Sequence, residues 1–347
     1  MGIILPLINS KNVFDKFYMK KKIIKPRVFV TGSLWSLLIY LLVNDLSTIK
    51  RTHYFFTNKG VHPSVRSHFR HHVINISWDD KIHWRIVQFC FIFIPLYNIL
   101  RWPYLLFSDI WGIDQGYGIQ SIIGRNKYTL IEDGSLNYQV SNISYKYKHS
   151  KIHKLLWGDI YCNEFGHNRK CKRIILTKYL KDSHIQHKIE FVNLPKLWEQ
   201  STKEKQEYIL NCFNLTKQDV EIMLAKEVIL LTQPIAKDCG LTEEEQIQLY
   251  RDMIEPYKEE NIIIKPHPRE NTPYRKYFPH AVIMDKAIPF QLFELLGIKF
   301  KVIVTISSTA AMDIKNKDTF IDFKGTTIDK RISNVYGKVT KESLMIS

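Results

Sequence analysis

With 347 residues the chain exceeds what one ordinary core organises, and at roughly 150 residues per domain about two domains are expected. Hydrophobic residues at 45% and aromatics at 13% supply ample material for burial and exclude a disordered chain. Against 34 acidic residues stand 50 Lys and Arg, and the formal net charge of +16 favours an anionic partner: a nucleic acid, an acidic membrane leaflet or a negatively charged substrate.

The basic residues are scattered in short runs such as Lys20 to Lys22, without the spacing of a zinc finger or a basic zipper, so nucleic acid is not expected as a partner. Residues 1–26 read as a leader without a secretory signal, and Met19 is an alternative start. Arg27 to Thr31 is a buried-strand pattern, Gly32-Ser33 a tight turn with an N-cap, and Leu34 to Val43 an apolar helix. His53 to Thr57, Val73 to Ser77, Ser108 to Ile113 and Lys127 to Asp133 continue the strand series, which makes the first lobe Rossmann-like, with α/β alternation. Within it, Ile86 to Phe107 is the most apolar long stretch, but Gln88, Pro95, Asn98, Arg101 and Pro103 interrupt it. It reads as a buried or interface-lying helix and, with Trp84, Trp102, Lys81 and Arg85, as the best candidate for peripheral membrane attachment.

The first lobe is expected over residues 27–201, with an insertion at about 135–201, followed by a helical connector at 202–225 and a second lobe at 226–347. Five cysteines, Cys90, Cys162, Cys171, Cys212 and Cys239, are odd in number and irregularly spaced, as in a reducing, cytoplasmic compartment. Cys162, His167 and Cys171 lack the paired spacing of a structural zinc site. In the second lobe Val228 to Thr232, Asn261 to Lys265, Ala281 to Met284, Lys301 to Ile306 and Thr319 to Phe323 are strand candidates. Thr242 to Tyr257, Pro289 to Leu296 and Ser308 to Ile314 are the helices between them.

Ligands of open α/β sheets bind beyond the carboxyl ends of the strands, and three strand ends carry chemistry. Tyr128 to Ile131 runs into Glu132-Asp133-Gly134, where a carboxylate can take a proton from an acceptor hydroxyl, although Asp-Gly alone also makes an ordinary turn. Ile262 to Ile264 runs into Lys265-Pro266-His267-Pro268, where two prolines hold a histidine able to donate a proton or to stay charged beside a phosphate. His62-Pro63 has the same dipeptide without the strand and reads as structural. Val302 to Ile306 runs into Ser307-Ser308-Thr309 at a helix start, a place for phosphate. No Asp-x-Asp occurs, so a cation held by such a pair is not expected and no metal or other cofactor is implied.

Together these three motifs resemble the acidic-Gly, His-Pro and Ser/Thr motifs of bacterial sialyltransferases of glycosyltransferase family 52, and Val28 to Leu38 and Tyr128 to Tyr138 are similar to that family too. The resemblance spans about Arg27 to Lys330 and implies a GT-B fold, two lobes facing a central cleft. It further implies an inverting transfer of sialic acid from CMP-sialic acid to a glycan or glycolipid, with Glu132 or Asp133 as base and His267 assisting departure of CMP. Lys265, Pro268, Ser307, Ser308 and Thr309 would hold the donor, Glu294 its ribose, and Thr232 and Gln233 would border the nucleotide. Asp238 and Glu245 remain alternative bases, and a homodimer and contact with the cytoplasmic face of the inner membrane remain open. CDP-glycerol transferases share the His-Pro and Ser/Thr features, and a non-catalytic protein that binds polyanions is the alternative outside enzymes.

Overall fold

The computed structural model describes residues 25–58, 60–74, 94–124, 126–134, 136–139, 163–180, 184–267, 269–308, 311 and 318–340. Residues 1–24 of the leader with Met19, Cys90, Cys162, Pro268 and Thr309 lie outside these residues, as do Lys81, Trp84, Arg85, the start of the Ile86 to Phe107 stretch and most of the helix expected at Ser308 to Ile314.

Two parallel sheets organise the chain. The first has seven strands, β1 (Arg27–Thr31), β2 (His53–Thr57), β3 (His71–Ile74), β4 (Asp109–Gly112), β5 (Tyr128–Ile131), β6 (Cys171–Leu176) and β7 (Ile189–Phe191), in the order β3-β2-β1-β4-β5-β6-β7. The second has five, β8 (Val228–Leu231), β9 (Ile262–Lys265), β10 (Val282–Ile283), β11 (Val302–Thr305) and β12 (Phe320–Phe323), in the order β10-β9-β8-β11-β12. Central strands β5, β8 and β9 are buried along their whole length, as parallel strands covered on both faces must be. This is why they read as continuous apolar runs rather than as alternating patterns.

Helix α1 (Leu34–Val43) follows β1 directly, opened by the Ser33 side chain accepting from the backbone N–H of Ser36. The β3 pattern expected at Val73 to Ser77 is displaced toward the N-terminus, and the stretch 135–201, read as an insertion, contributes two sheet strands, β6 and β7. A Cys-Lys-Arg opening and a three-residue edge strand leave little apolar period to detect. Helix α2 (Leu194–Glu199) then packs between α1 and the second lobe's helix α5 (Gln291–Leu295). The connector is two helices, α3 (Lys203–Cys212) and α4 (Lys217–Leu224), broken where Asn214 takes φ 57°. The ion pair Lys286–Asp219 joins α4 to the second lobe, and Lys50–Glu204, at 3.3 Å, joins α3 to the first. Between the sheets the apolar core is continuous: Phe29, Leu37, Ile209, Phe213, Ile229 and Phe293 belong to one buried cluster.

Candidate active site

At the carboxyl end of β5, Glu132 and Asp133 diverge. Glu132 is 2% exposed. Its Oε1 accepts from Trp35 Nε1 at 3.0 Å, and its Oε2 accepts from the Tyr138 hydroxyl at 2.6 Å and from the Thr177 N–H and hydroxyl at 2.6 and 2.8 Å. Four donors leave that carboxylate committed to the scaffold. Asp133 is different: its Oδ1 accepts a 3.3 Å hydrogen bond from Ser36 Oγ, its backbone N–H donates to Asn137 at 2.7 Å, and Gly134 beside it turns the chain at φ 112°. Burial pushes its pKa up to about 6; the Ser33 and Ser36 hydroxyls oppose the shift, while the nearby Asp114 and Glu132 carboxylates add to it. Asp133 is thus tied to the first turn of α1, whose Leu34 and Trp35 line the interlobe cleft, although Asp133 is not itself among the residues that line it.

That cleft, about 420 Å³, is closed on the other side by Thr232, Gln233, Lys265, His267, Ser307 and Ser308. Lys265 ends β9 only 9% exposed, and no hydrogen-bond or ionic partner meets its ammonium among the described residues. Burial lowers its pKa to about 8. The His267 backbone N–H donates to Thr232 Oγ1 at 3.0 Å and to Glu270 Oε2 at 2.7 Å, and Thr232 in turn donates to Glu270. Nδ1 of His267 accepts from the Arg269 N–H at 3.2 Å, so in the neutral ring the proton is on Nε2. Burial first, then the charges of Arg269 and Lys265, take the His267 pKa down to about 4. The cleft therefore presents a neutral N–H donor beside a buried cation. Ser307 and Ser308 complete the wall, with the Ser308 N–H bonded to Thr305 Oγ1 at 3.1 Å.

Several expected residues lie elsewhere. Glu294 lines an adjoining cavity of about 320 Å³ rather than the cleft, together with Trp35, Glu132 and Gln291. Asp238 is paired with Arg269 at 2.7 Å and accepts from the Tyr336 hydroxyl, and Glu245 closes a capping box with Thr242 and binds Arg331. Both alternative bases are thus engaged. His62 caps the helix at Pro63–Arg66, a structural role. Residues missed from the sequence are Trp35 and Ser36, on the helix that follows β1, and Glu270, three residues beyond His267 and hydrogen-bonded back to it in the manner of a cap. No cluster of ligands able to hold a metal occurs among the described residues.

Two parallel α/β lobes closing on a cleft lined by a lysine, a histidine and hydroxyls have the architecture of a GT-B glycosyltransferase. The model of glycosyltransferase family 52 matches residues 114–331, more than half of the chain, and the protein belongs to that family. An uncharacterised protein of Haemophilus influenzae is 31% identical over 236 residues, 67% of this chain and 73% of the relative. The GT-B domain of a sialyltransferase from Photobacterium damselae superposes with a TM-score of 0.53 at 14% identity, over 86% of this chain and 90% of that one. A 2,6-sialyltransferase of a Photobacterium species, solved with CMP and lactose, superposes with a TM-score of 0.54 at 12% identity, over 93% and 77%. At such identities the likeness establishes the fold.

Proposed function

We propose that this glycosyltransferase moves sialic acid from CMP-sialic acid to a terminal sugar, galactose, of a lipooligosaccharide or capsular glycan, by an inverting displacement that needs no metal. The observation that carries the reading is the buried Lys265, without a partner among the described residues, beside a neutral His267 in the interlobe cleft, with Asp133 bonded to Ser36 on the helix that lends Leu34 and Trp35 to that cleft. Asp133 takes the proton of the acceptor hydroxyl as its oxygen attacks the anomeric carbon from the face opposite the phosphate. The bond from that carbon to the phosphate oxygen breaks, and the electron pair leaves with CMP. Lys265, the Nε2–H of His267 and the Ser307 and Ser308 hydroxyls meet the charge that develops there, the work a cation does in metal-dependent transferases. Thr232 braces the His267 loop, and Gln233 borders the nucleotide.

The exposed apolar residues Leu96, Tyr97, Leu100, Leu106 and Phe107, on a molecule of net charge +16, support peripheral attachment to an acidic leaflet, where such acceptors are assembled. No described helix is long and apolar enough to cross a membrane. The test is a donor screen with CMP-sialic acid, CDP-glycerol and UDP-sugars in EDTA, measuring nucleotide release with and without a galactose-ended acceptor. CMP release that persists in EDTA and is lost in His267→Ala is expected; release only from CDP-glycerol or UDP-sugars overturns the reading.

A further inference from the structure

Beyond the cleft lies the 320 Å³ cavity, joined to it through two shared walls, Trp35 and Gln291. Its volume falls within the range of small-molecule sites. Its chemistry is unlike that of the cleft. Where the cleft holds a buried lysine, this cavity is lined by two acids, Glu132 and Glu294, with Lys178 at its edge and the amides of Asn193 and Gln291. The side chains of Gln291 and Glu294 have no protein partner among the described residues, which leaves an amide and a carboxylate for hydroxyl groups. Such a lining suits a neutral polyhydroxyl ligand and disfavours an anionic one.

At the rim stands an aromatic pair. Phe191, a wall residue, is 43% exposed, and Tyr179, 70% exposed, stacks on it with ring centroids 5.6 Å apart and planes 26° apart. Neither belongs to a core cluster. The electron-rich faces of such rings attract the polarised C–H groups that one face of a pyranose presents. The platform is also held in place. Phe191 pairs with Leu176, and the next two residues of that chain are tied to Glu132: Thr177 directly, and Lys178 through its N–H bond of 2.9 Å to the Tyr138 hydroxyl. The buried Glu132 carboxylate therefore fixes the backbone that presents Tyr179.

We propose that Tyr179 and Phe191 form a subsite for the sugar ring preceding the acceptor's terminal residue, so that the enzyme selects an oligosaccharide end over a single sugar. The proposal rests on the neighbouring cleft being the transfer site. Its test compares methyl β-galactoside with lactose as acceptors for the wild type, Tyr179→Ala and Phe191→Ala, with CMP-sialic acid as donor, beside saturation-transfer NMR of lactose on the protein without donor. In the wild type lactose is expected to be preferred in kcat/KM, and both variants are expected to lose that preference by about three- to tenfold through KM, with weaker saturation of the reducing-end ring. A ratio left unchanged, or a fall in kcat equal for both acceptors, overturns the subsite. If the wild type does not use CMP-sialic acid, the donor reading fails, and the NMR comparison decides the platform by itself.

Discussion

Glu132 and Asp133 follow the same strand, yet one accepts four hydrogen bonds and the other is left with two serine hydroxyls and a raised pKa. As the proposed base, Asp133 must be ionised to act, so activity is expected to rise with pH through about 6 and to level off above it, with Asp133→Asn lowering kcat by at least about a hundredfold and sparing donor affinity. Steady-state rates across pH 5 to 8 check this. The same shift has an opposite sign for stability. A carboxyl with a raised folded pKa holds its proton more tightly than the unfolded chain does, so the native state is disfavoured as pH rises from about 3.8 through about 6. Asp133→Asn is therefore expected to stabilise the protein at pH 7.5, by on the order of 1 kcal/mol, and to change little at pH 4, which thermal melts at the two pH values decide. Nothing in the sequence separates these neighbours, because what divides them is Trp35, Tyr138 and Thr177 converging on only one.

At the level of the elements, strand ends were the most readable feature. The apolar runs before Glu132, Lys265 and Ser307, and the Ser33 and Thr242 caps, follow from local rules that burial on both faces enforces. The extended pattern near His187 to Val192 announces β7, whereas β6, with its mixed-polarity opening, acquires meaning only by pairing with β5 on one side and β7 on the other, and with them the cavity edged by Thr177 and Phe191 stayed hidden. Loop contacts were equally hidden. A Cβ on Gly60 would lie 2.0 Å from the carbonyl oxygen of Gly32, so two loops at the cleft touch through glycine backbones. Gly60→Ala must push the β1-to-α1 turn aside, and a loss of about 2 kcal/mol or more is expected in chemical unfolding, together with weaker donor binding. Normal stability in this variant would refute the close packing.

Across the whole molecule, a continuous core from Phe29 to Phe293 packs the two lobes together, with α2 wedged between α1 and α5. The surface is less balanced. The helix at Ile94–Arg101 and the turn at Pro103–Phe107 place Leu96, Tyr97, Leu100, Leu106 and Phe107 in solvent. Flotation with vesicles is expected to show binding when they contain anionic phosphatidylglycerol, weakening as salt rises, and loss of binding in Leu100→Glu/Phe107→Glu. Equal binding to neutral phosphatidylcholine vesicles, or no effect of the double variant, would rule this surface out.

Lys265 gives the molecule one more property. A buried ammonium with no counter-charge among the described residues, its pKa down to about 8, means that the folded protein gives up a proton that the unfolded chain keeps until about pH 10.5. Below pH 8 the fold therefore carries an uncompensated charge in its interior. An anion entering the cleft removes that penalty, and near pH 8 it draws a proton from solution as it binds. In the proposed transfer the nucleotide is then both substrate and missing half of an ion pair, and the cleft is expected to be most stable when it is bound.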